Sequence, residues 1–158
     1  MKFSIVPVYL GKRSKIYTIR IENSELDEYR RFVYDNSSVV PNAVRLLDLQ
    51  LKNIANKNGI YDEQFIRESP PGKNVFRITE TNEWLRLYCI KYSRVALVLG
   101  GGGIKKPDKQ KLKENPELQM VVDFLIKIED VIFEAMQNNE TRLTDDGFEG
   151  KLNFELVE

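Results

Sequence analysis

The stretch that decides the fold is residues 75–100, VFRITETNEWLRLYCIKYSRVALVLG, in which β-branched and aromatic residues form three runs. The runs cover residues 75–80, 84–91 and 94–100, and the short breaks Thr81-Asn82 and Tyr92-Ser93 separate them. Runs of this composition favour strands, and such short breaks join neighbouring strands in antiparallel order. The stretch therefore predicts a three-stranded antiparallel meander.

A strand pair and two helices are predicted before the meander. Extended runs at residues 3–8 and 15–21 flank a turn-like segment that begins at Gly11. Apolar residues then recur at helical spacing after Ser24, the expected N-cap, to about Asp35. A second helix follows Pro41 and stops at Gly59, so the two helices form an αα-hairpin. The polar segment 61–72 is predicted to be a loop.

A long helix and a closing strand are predicted after the meander. Asn115, Pro116 and Glu117 supply a cap, a first-turn proline and an acid in the order typical of a helix start. The apolar stripe from Leu118 to Met136 is wider than one sheet face covers, so it also packs against the last segment or a partner. Alternation over residues 152–156 predicts a closing strand. These elements predict one α+β domain over residues 1–158, with an antiparallel sheet, an N-terminal αα-hairpin and a C-terminal helix.

Composition excludes several classes of site. The chain has no histidine and one cysteine, which excludes a Ser-His-Asp triad, a histidine-based zinc site and an internal disulfide. Cys89 lies among apolar neighbours, and we expect it to pack in the core because burial disfavours a reactive thiolate. No run reaches the ~18 apolar residues of a membrane helix, so we expect a cytoplasmic protein with no membrane contact.

The net charge of zero conceals two oppositely charged blocks. Residues 73–113 carry ten Lys and Arg against three Asp and Glu, whereas residues 114–158 carry three against twelve. The basic block either binds a polyanion or is neutralised by the acidic segment folding back onto it. Both explanations account for the zero total.

Two arginines of the meander are the strongest candidates for a site. If Thr81-Asn82 is a two-residue turn, Arg77 lies directly opposite Arg86, and these like charges repel unless an anion lies between them. The alternative is that each pairs with an acid, either Glu80 or one from the acidic segment. Two aromatic residues, Trp84 and Tyr88, share the face of Arg86 and offer stacking to bases. The opposite face, which is expected to seat the helices, carries Phe76, Ile78, Leu85, Leu87, Cys89, Ala96 and Val98.

Four consecutive glycines at residues 100–103 suggest a phosphate-binding loop, but the Gly-Lys-[Ser/Thr] ending is missing. We therefore interpret them as an exposed, mobile connection that brings Lys105 and Lys106 near the sheet.

The element order and these motifs resemble the RelE/ParE toxin superfamily, especially its HigB-like and phage-derived members. The motifs are Val75-Phe76-Arg77, the run 85–88, the run 98–100 and the pair Lys105-Lys106. The match covers about residues 15–137, which leaves residues 138–158 as an acidic C-terminal extension beside the extra N-terminal strand.

The resemblance implies an mRNA endoribonuclease of a type II toxin-antitoxin system, often acting on the ribosome and neutralised by a cognate antitoxin protein. Its chemistry is attack of a ribose 2′-hydroxyl on the adjacent phosphate, with no metal or other cofactor. The catalytic positions carried over from the family are Arg77, Arg86, Lys105 and Lys106. The residues expected to bind RNA are Lys73, Trp84, Tyr88, Lys91, Arg94, Lys109 and Lys111.

One departure from the family pattern keeps other functions open. The last helix of active members often supplies a tyrosine, histidine or basic residue, whereas this helix carries Glu129, Asp130 and Glu134. The first alternative is a catalytically inactive module of the same fold, retained for an antitoxin-like partner or directed at DNA gyrase as in the ParE branch. The second is a domain whose last helix dimerises and whose basic block only balances the acidic segment.

Overall fold

The computed structural model describes residues 1–79, 84–105 and 115–157, and over these ranges the chain has an α+β fold. The α-helices are α1 (Glu28–Ser37), α2 (Pro41–Asn53) and α3 (Pro116–Gln137). The strands are β1 (Lys2–Leu10), β2 (Lys15–Ile21), β3 (Phe65–Arg67), β4 (Val75–Ile78), β5 (Leu85–Tyr92), β6 (Ala96–Ile104), β7 (Thr141–Thr144), β8 (Gly147–Gly150) and β9 (Asn153–Glu155).

Seven of these strands form one mixed sheet in the order β3-β4-β5-β6-β2-β1-β9, and β7 and β8 form a separate hairpin. The predicted strand pair β1–β2, the meander β4–β5–β6 and the closing strand β9 are confirmed. The prediction of a purely antiparallel sheet is wrong, because β2 pairs with β6 in parallel. Local patterning predicts neighbouring strands, but it does not reveal that β2 lies beside a strand about 80 residues later.

The two N-terminal helices lie close to their predicted positions. Helix α1 is capped by Asp27, whose carboxylate accepts a hydrogen bond from the Arg30 amide at 2.8 Å, and not by Ser24 as predicted. Helix α2 is followed by a π-helical turn, Ile54–Asn58, and ends at Gly59, which has a positive φ of 76°. The αα-hairpin is therefore confirmed.

The segment predicted to be a loop contains a strand. Residues 65–67 form β3, which extends the sheet by pairing with β4, and Ile66 lies opposite Arg77. This edge strand has only three residues, too few for an alternation to stand out in the sequence. Its presence brings the residues around position 68 beside β4.

Both faces of the central strands are covered. Helices α1 and α2 pack on one face, over residues such as Ile78, Leu87 and Cys89, and α3 packs on the other, over Tyr88 and Ile90. The face of Arg86 is therefore not open along its whole length, since Tyr88 is 1% exposed.

The placement of Ala96 and Val98 differs from the prediction. Both belong to the core beneath α3 and not to the face that seats the αα-hairpin. The register between β5 and β6 shifts between Tyr88 and Cys89, so that Tyr88 pairs with Gly101 and Cys89 with Leu99. The reversal of Ala96 and Val98 arises at the β5–β6 connection. A two-residue break at 92–93 would place Ala96 opposite Cys89, whereas Ala96 pairs with Tyr92, and this displacement by three residues moves the side chains to the other face.

The four glycines lie within β6 and do not form an exposed connection. A Cβ atom on Gly100 would lie 2.4 Å from the Leu125 side chain of α3, and one on Gly102 would lie 1.8 Å from the Arg86 carbonyl oxygen. The absent side chains therefore allow β6 to approach both its neighbouring strand and the helix above it.

Polar contacts from the β3–β4 turn hold α3 in place. The buried Glu129 carboxylate accepts hydrogen bonds from the Asn74 backbone amide at 2.9 Å and from its side-chain nitrogen at 2.8 Å. None of the helices within the described residues is long and apolar enough to cross a membrane.

Two adjacent glycine substitutions test the close approach of β6 to β5. Gly102→Ala should lower the free energy of unfolding by about 1–3 kcal/mol, because the new methyl group overlaps backbone atoms of Arg86. Gly103→Ala is the matched control, since its Cβ atom would lie 3.5 Å from Leu118, an ordinary van der Waals contact. Urea unfolding of both variants measures the difference, and equal stabilities would contradict the placement of this strand.

Candidate functional site

A small cavity of about 70 Å³ lies where β4, β5 and β6 meet the beginning of α3. Space of this size holds a few water molecules or one small oxyanion. The cavity brings together four of the predicted site residues, Arg77, Arg86, Tyr88 and Lys105. Its lining residues are Glu68, Arg77, Arg86, Tyr88, Lys105, Asn115 and Leu118.

Strand register places these side chains on one face of the sheet. Arg77 lies opposite Tyr88. A two-residue turn at residues 81–82 would have placed it opposite Arg86, so the observed β4–β5 register differs from the predicted one by two residues. A displacement of two residues keeps the same side chains on the same face. Arg86 is therefore a diagonal neighbour of Arg77, and Gly103 lies opposite Arg86 on β6.

A carboxylate that the sequence analysis missed completes the cavity. Glu68 Oε1 accepts a hydrogen bond from Arg77 Nε at 2.8 Å, and the two side chains are 16% and 20% exposed. The signal that could have revealed it is the pairing of β3 with β4, which places residue 68 diagonally beside Arg77. Arg77 therefore forms an ion pair, as the alternative predicted, but with Glu68, an acid that the alternative did not name. Glu80 lies outside the described residues.

Tyr88 forms the floor of the cavity. Burial raises the pKa of its hydroxyl well above the usual value, and the nearby Glu68 carboxylate raises this pKa further, whereas Arg86 and Arg77 oppose the shift. The hydroxyl therefore stays protonated at neutral pH and can serve as a hydrogen-bond donor.

Trp84 and Lys105 lie side by side at the end of β5 and β6. The Lys105 amide donates a hydrogen bond to the Trp84 carbonyl at 2.6 Å, which extends the strand pairing by one position. The Lys105 ammonium lies 6.0 Å from the centroid of the Trp84 ring, a distance typical of a cation–π contact. This contact holds a cation and an aromatic face together beside the two arginines.

Three predicted RNA-binding residues lie away from the cavity. Lys73 pairs with Asp130 at the β3–β4 turn. Lys91 lies on the αα-hairpin face, where it pairs with Asp62 at 2.8 Å. Arg94 follows the end of β5, 5.8 Å from the centroid of the Tyr61 ring. The remaining predicted residues, Lys106, Lys109 and Lys111, lie outside the described residues.

The acids of α3 have structural contacts. Glu129 and Asp130 bind the β3–β4 turn, and neither lines the cavity. The Lys73–Asp130 pair joins the basic and acidic blocks, so part of the basic block is neutralised by the acidic segment. Cys89 is fully buried, and burial raises the pKa of its thiol, which confirms the prediction of a core residue.

Three larger hollows contain none of the predicted site residues. One of about 570 Å³ lies along β2, β1 and β9, and two of about 400 and 850 Å³ lie along α1 and its neighbours. Within the described residues, no group of three or more acidic or cysteine side chains is placed to hold a metal ion. Comparison with protein-family models, with curated proteins and with solved structures returns no significant match.

Inorganic phosphate tests whether the cavity accepts an oxyanion. At low ionic strength, phosphate should shift the backbone amide signals of Gly103 and Leu118 in a saturable manner. Arg86→Ala should weaken this binding about tenfold or more, because a hydrogen bond to a charged group contributes about 1.5–3 kcal/mol. The control is Arg94→Ala, which removes an exposed arginine outside the cavity. NMR titration gives both affinities, and equal losses would contradict the assignment.

Proposed function

We propose that this chain is a RelE-like endoribonuclease, the toxin of a type II toxin-antitoxin system, which cleaves mRNA at the cavity formed by Arg77, Arg86, Tyr88 and Lys105. The observation that carries the proposal is the convergence of three cationic side chains on a space of oxyanion size. Two of the cations are guanidinium groups, each of which can bind a phosphate through two hydrogen bonds.

The order of the elements supports the proposed fold relationship. Over residues 15–137 the chain runs from a strand through an αα-hairpin and a three-stranded meander to a helix, which is the order on which the resemblance rests. The short strand β3 is an insertion in that order, and β1 and β7–β9 are additions at the two ends. Of these additions, β1 and β9 extend the sheet beyond β2, on the side away from β4 and the cavity.

The proposed reaction is a transesterification within the RNA chain. The 2′-oxygen of one ribose forms a bond to the adjacent phosphorus, and the bond from phosphorus to the 5′-oxygen of the next nucleotide breaks. The products are a 2′,3′-cyclic phosphate and a 5′-hydroxyl. One proton leaves the 2′-hydroxyl, and one is delivered to the departing 5′-oxygen.

The cavity residues suit the charge that develops in this reaction. Arg77 and Arg86 would stabilise the negative charge of the pentacoordinate phosphorane, and the Tyr88 hydroxyl would donate a hydrogen bond to it. Lys105 would assist proton transfer at the cavity rim, where Trp84 offers a stacking surface for a neighbouring base. The proposal includes an antitoxin protein that blocks this surface, and the resemblance is what supports that partner.

A catalytically inactive binding module is the second candidate. The observation that favours it is the ion pair between Arg77 and Glu68, which occupies part of the guanidinium that would otherwise bind phosphate. Such a module would retain the fold and bind a partner without cleaving RNA.

Induced expression in a bacterial host distinguishes the two candidates. The wild type and Arg94→Ala should arrest growth and fragment mRNA, whereas Arg77→Ala/Arg86→Ala should do neither, because it removes both guanidinium groups from the cavity. Arg86→Ala alone is a second variant, since it leaves the Arg77–Glu68 pair intact. Arrest with intact mRNA would contradict the nuclease and indicate a protein target such as gyrase. Absence of arrest by a folded wild type would favour the inactive module.

Cleavage of a defined RNA by the purified chain tests the reaction type. We expect a 2′,3′-cyclic phosphate and a 5′-hydroxyl, detected by mass spectrometry, and no cleavage of the same oligonucleotide with 2′-deoxyribose at the cleavage position. Activity below saturation should fall as salt is raised, because phosphate contacts release counterions. Cleavage of the 2′-deoxy substrate would contradict attack by the ribose hydroxyl.

A further inference from the structure

We propose that Glu68 is a catalytic residue of this cavity and accepts the proton of the attacking 2′-hydroxyl. The inference rests on the proposed function, and it assigns this step to a residue that neither the sequence motifs nor the resemblance indicates. Lys105 is then left with the opposite task, donation of a proton to the departing 5′-oxygen.

The chemistry of the lining residues singles out Glu68. An arginine stays protonated, and a lysine ammonium has three donors and no acceptor. The buried Tyr88 hydroxyl also keeps its proton, since burial raises its pKa. Among the described residues that line the cavity, Glu68 is the one whose side chain is a carboxylate, a group that accepts protons in general base catalysis.

The strands hold Glu68 where a base is needed. Its backbone amide donates a hydrogen bond to the Val75 carbonyl at 3.0 Å, which continues the β3–β4 pairing beyond Arg67. Ile66 lies opposite Arg77, so Glu68, two residues further along, projects from the same face beside the same arginine. The base and the phosphate-binding guanidinium are thus placed next to each other.

The bond to Arg77 orients Glu68 without using up its capacity to accept. It involves one carboxylate oxygen and one of the five N–H groups of the guanidinium. The second carboxylate oxygen can take the hydroxyl proton, and the terminal nitrogens of Arg77 can bind the phosphate to which the same ribose is attached. The Arg77–Glu68 ion pair, which was the observation in favour of an inactive module, would then take part in catalysis.

Protons balance over the proposed reaction. Glu68 gains the proton of the 2′-hydroxyl as the new bond to phosphorus forms, and Lys105 loses one to the 5′-oxygen as the old bond breaks. Exchange with water then returns both groups to their starting states. No oxidant, reductant or other reactant is required.

Glu68→Gln tests this role because glutamine has the same shape and keeps an oxygen that can accept from Arg77, yet it cannot take up the proton. The variant should cleave RNA about 100-fold or more slowly, the size of effect expected of a general base. Its affinity for an uncleavable RNA with a 2′-O-methyl group at the cleavage position should stay within twofold of the wild type. The control is Glu63→Gln, which changes an exposed acid five residues away.

The pH profile separates proton transfer from positioning. The wild-type cleavage rate should fall as the pH is lowered, because a general base must be unprotonated to act, and Glu68→Gln should lose this dependence. A slower variant that keeps the wild-type profile would show that Glu68 only orients Arg77 and would overturn the inference. An unchanged rate would overturn it as well while leaving the nuclease intact. A folded wild type that cleaves no RNA at any pH would refute both the nuclease and its base.

Discussion

The close approach of β6 to its neighbours is the constraint on which the rest of the structure depends. Gly100 lies against Leu125 of α3, and Gly102 lies against the backbone of Arg86, at distances that leave no room for a side chain. Because β6 carries no side chains at these glycines, α3 packs directly against the sheet and buries Tyr88. The bulge beside Gly101 then adjusts the register of β6 to the strand that carries Arg86 and Tyr88.

The position of α3 decides which charged groups border the cavity. Its middle is bound to the β3–β4 turn through Glu129, and its beginning lies over the end of β6, where Leu118 borders the cavity. Arg77 and Arg86 emerge at this border, half-buried and close to Glu68. A half-buried cluster of this kind is less screened by solvent than the exposed lysines elsewhere, so charge complementarity with a phosphate contributes more there.

Periodicity predicted the helices, the meander and the closing strand because each depends on residues close in sequence. The parallel pairing of β2 with β6 and the short strand β3 depend on residues far apart, which is why local patterns missed them. Arg77 and Arg86 were assigned to the correct face in spite of a wrong register, since the error was an even number of residues. Glu68 was missed because the pairing of β3 with β4, which places it beside Arg77, was not predicted. Lys91 alternates with Leu87 and Cys89 along β5, so the pattern that placed those residues against the helices also places Lys91 on that face, away from Arg86.

The most direct test of the account is a crystal structure of the chain with a short RNA made uncleavable by 2′-O-methyl substitution. The account predicts one phosphate within hydrogen-bonding distance of both Arg77 and Arg86, with the 2′-oxygen of the preceding ribose facing Glu68. RNA bound instead on the αα-hairpin face around Lys91, or along β1 and β9, would contradict the central claim that this cavity is the functional site.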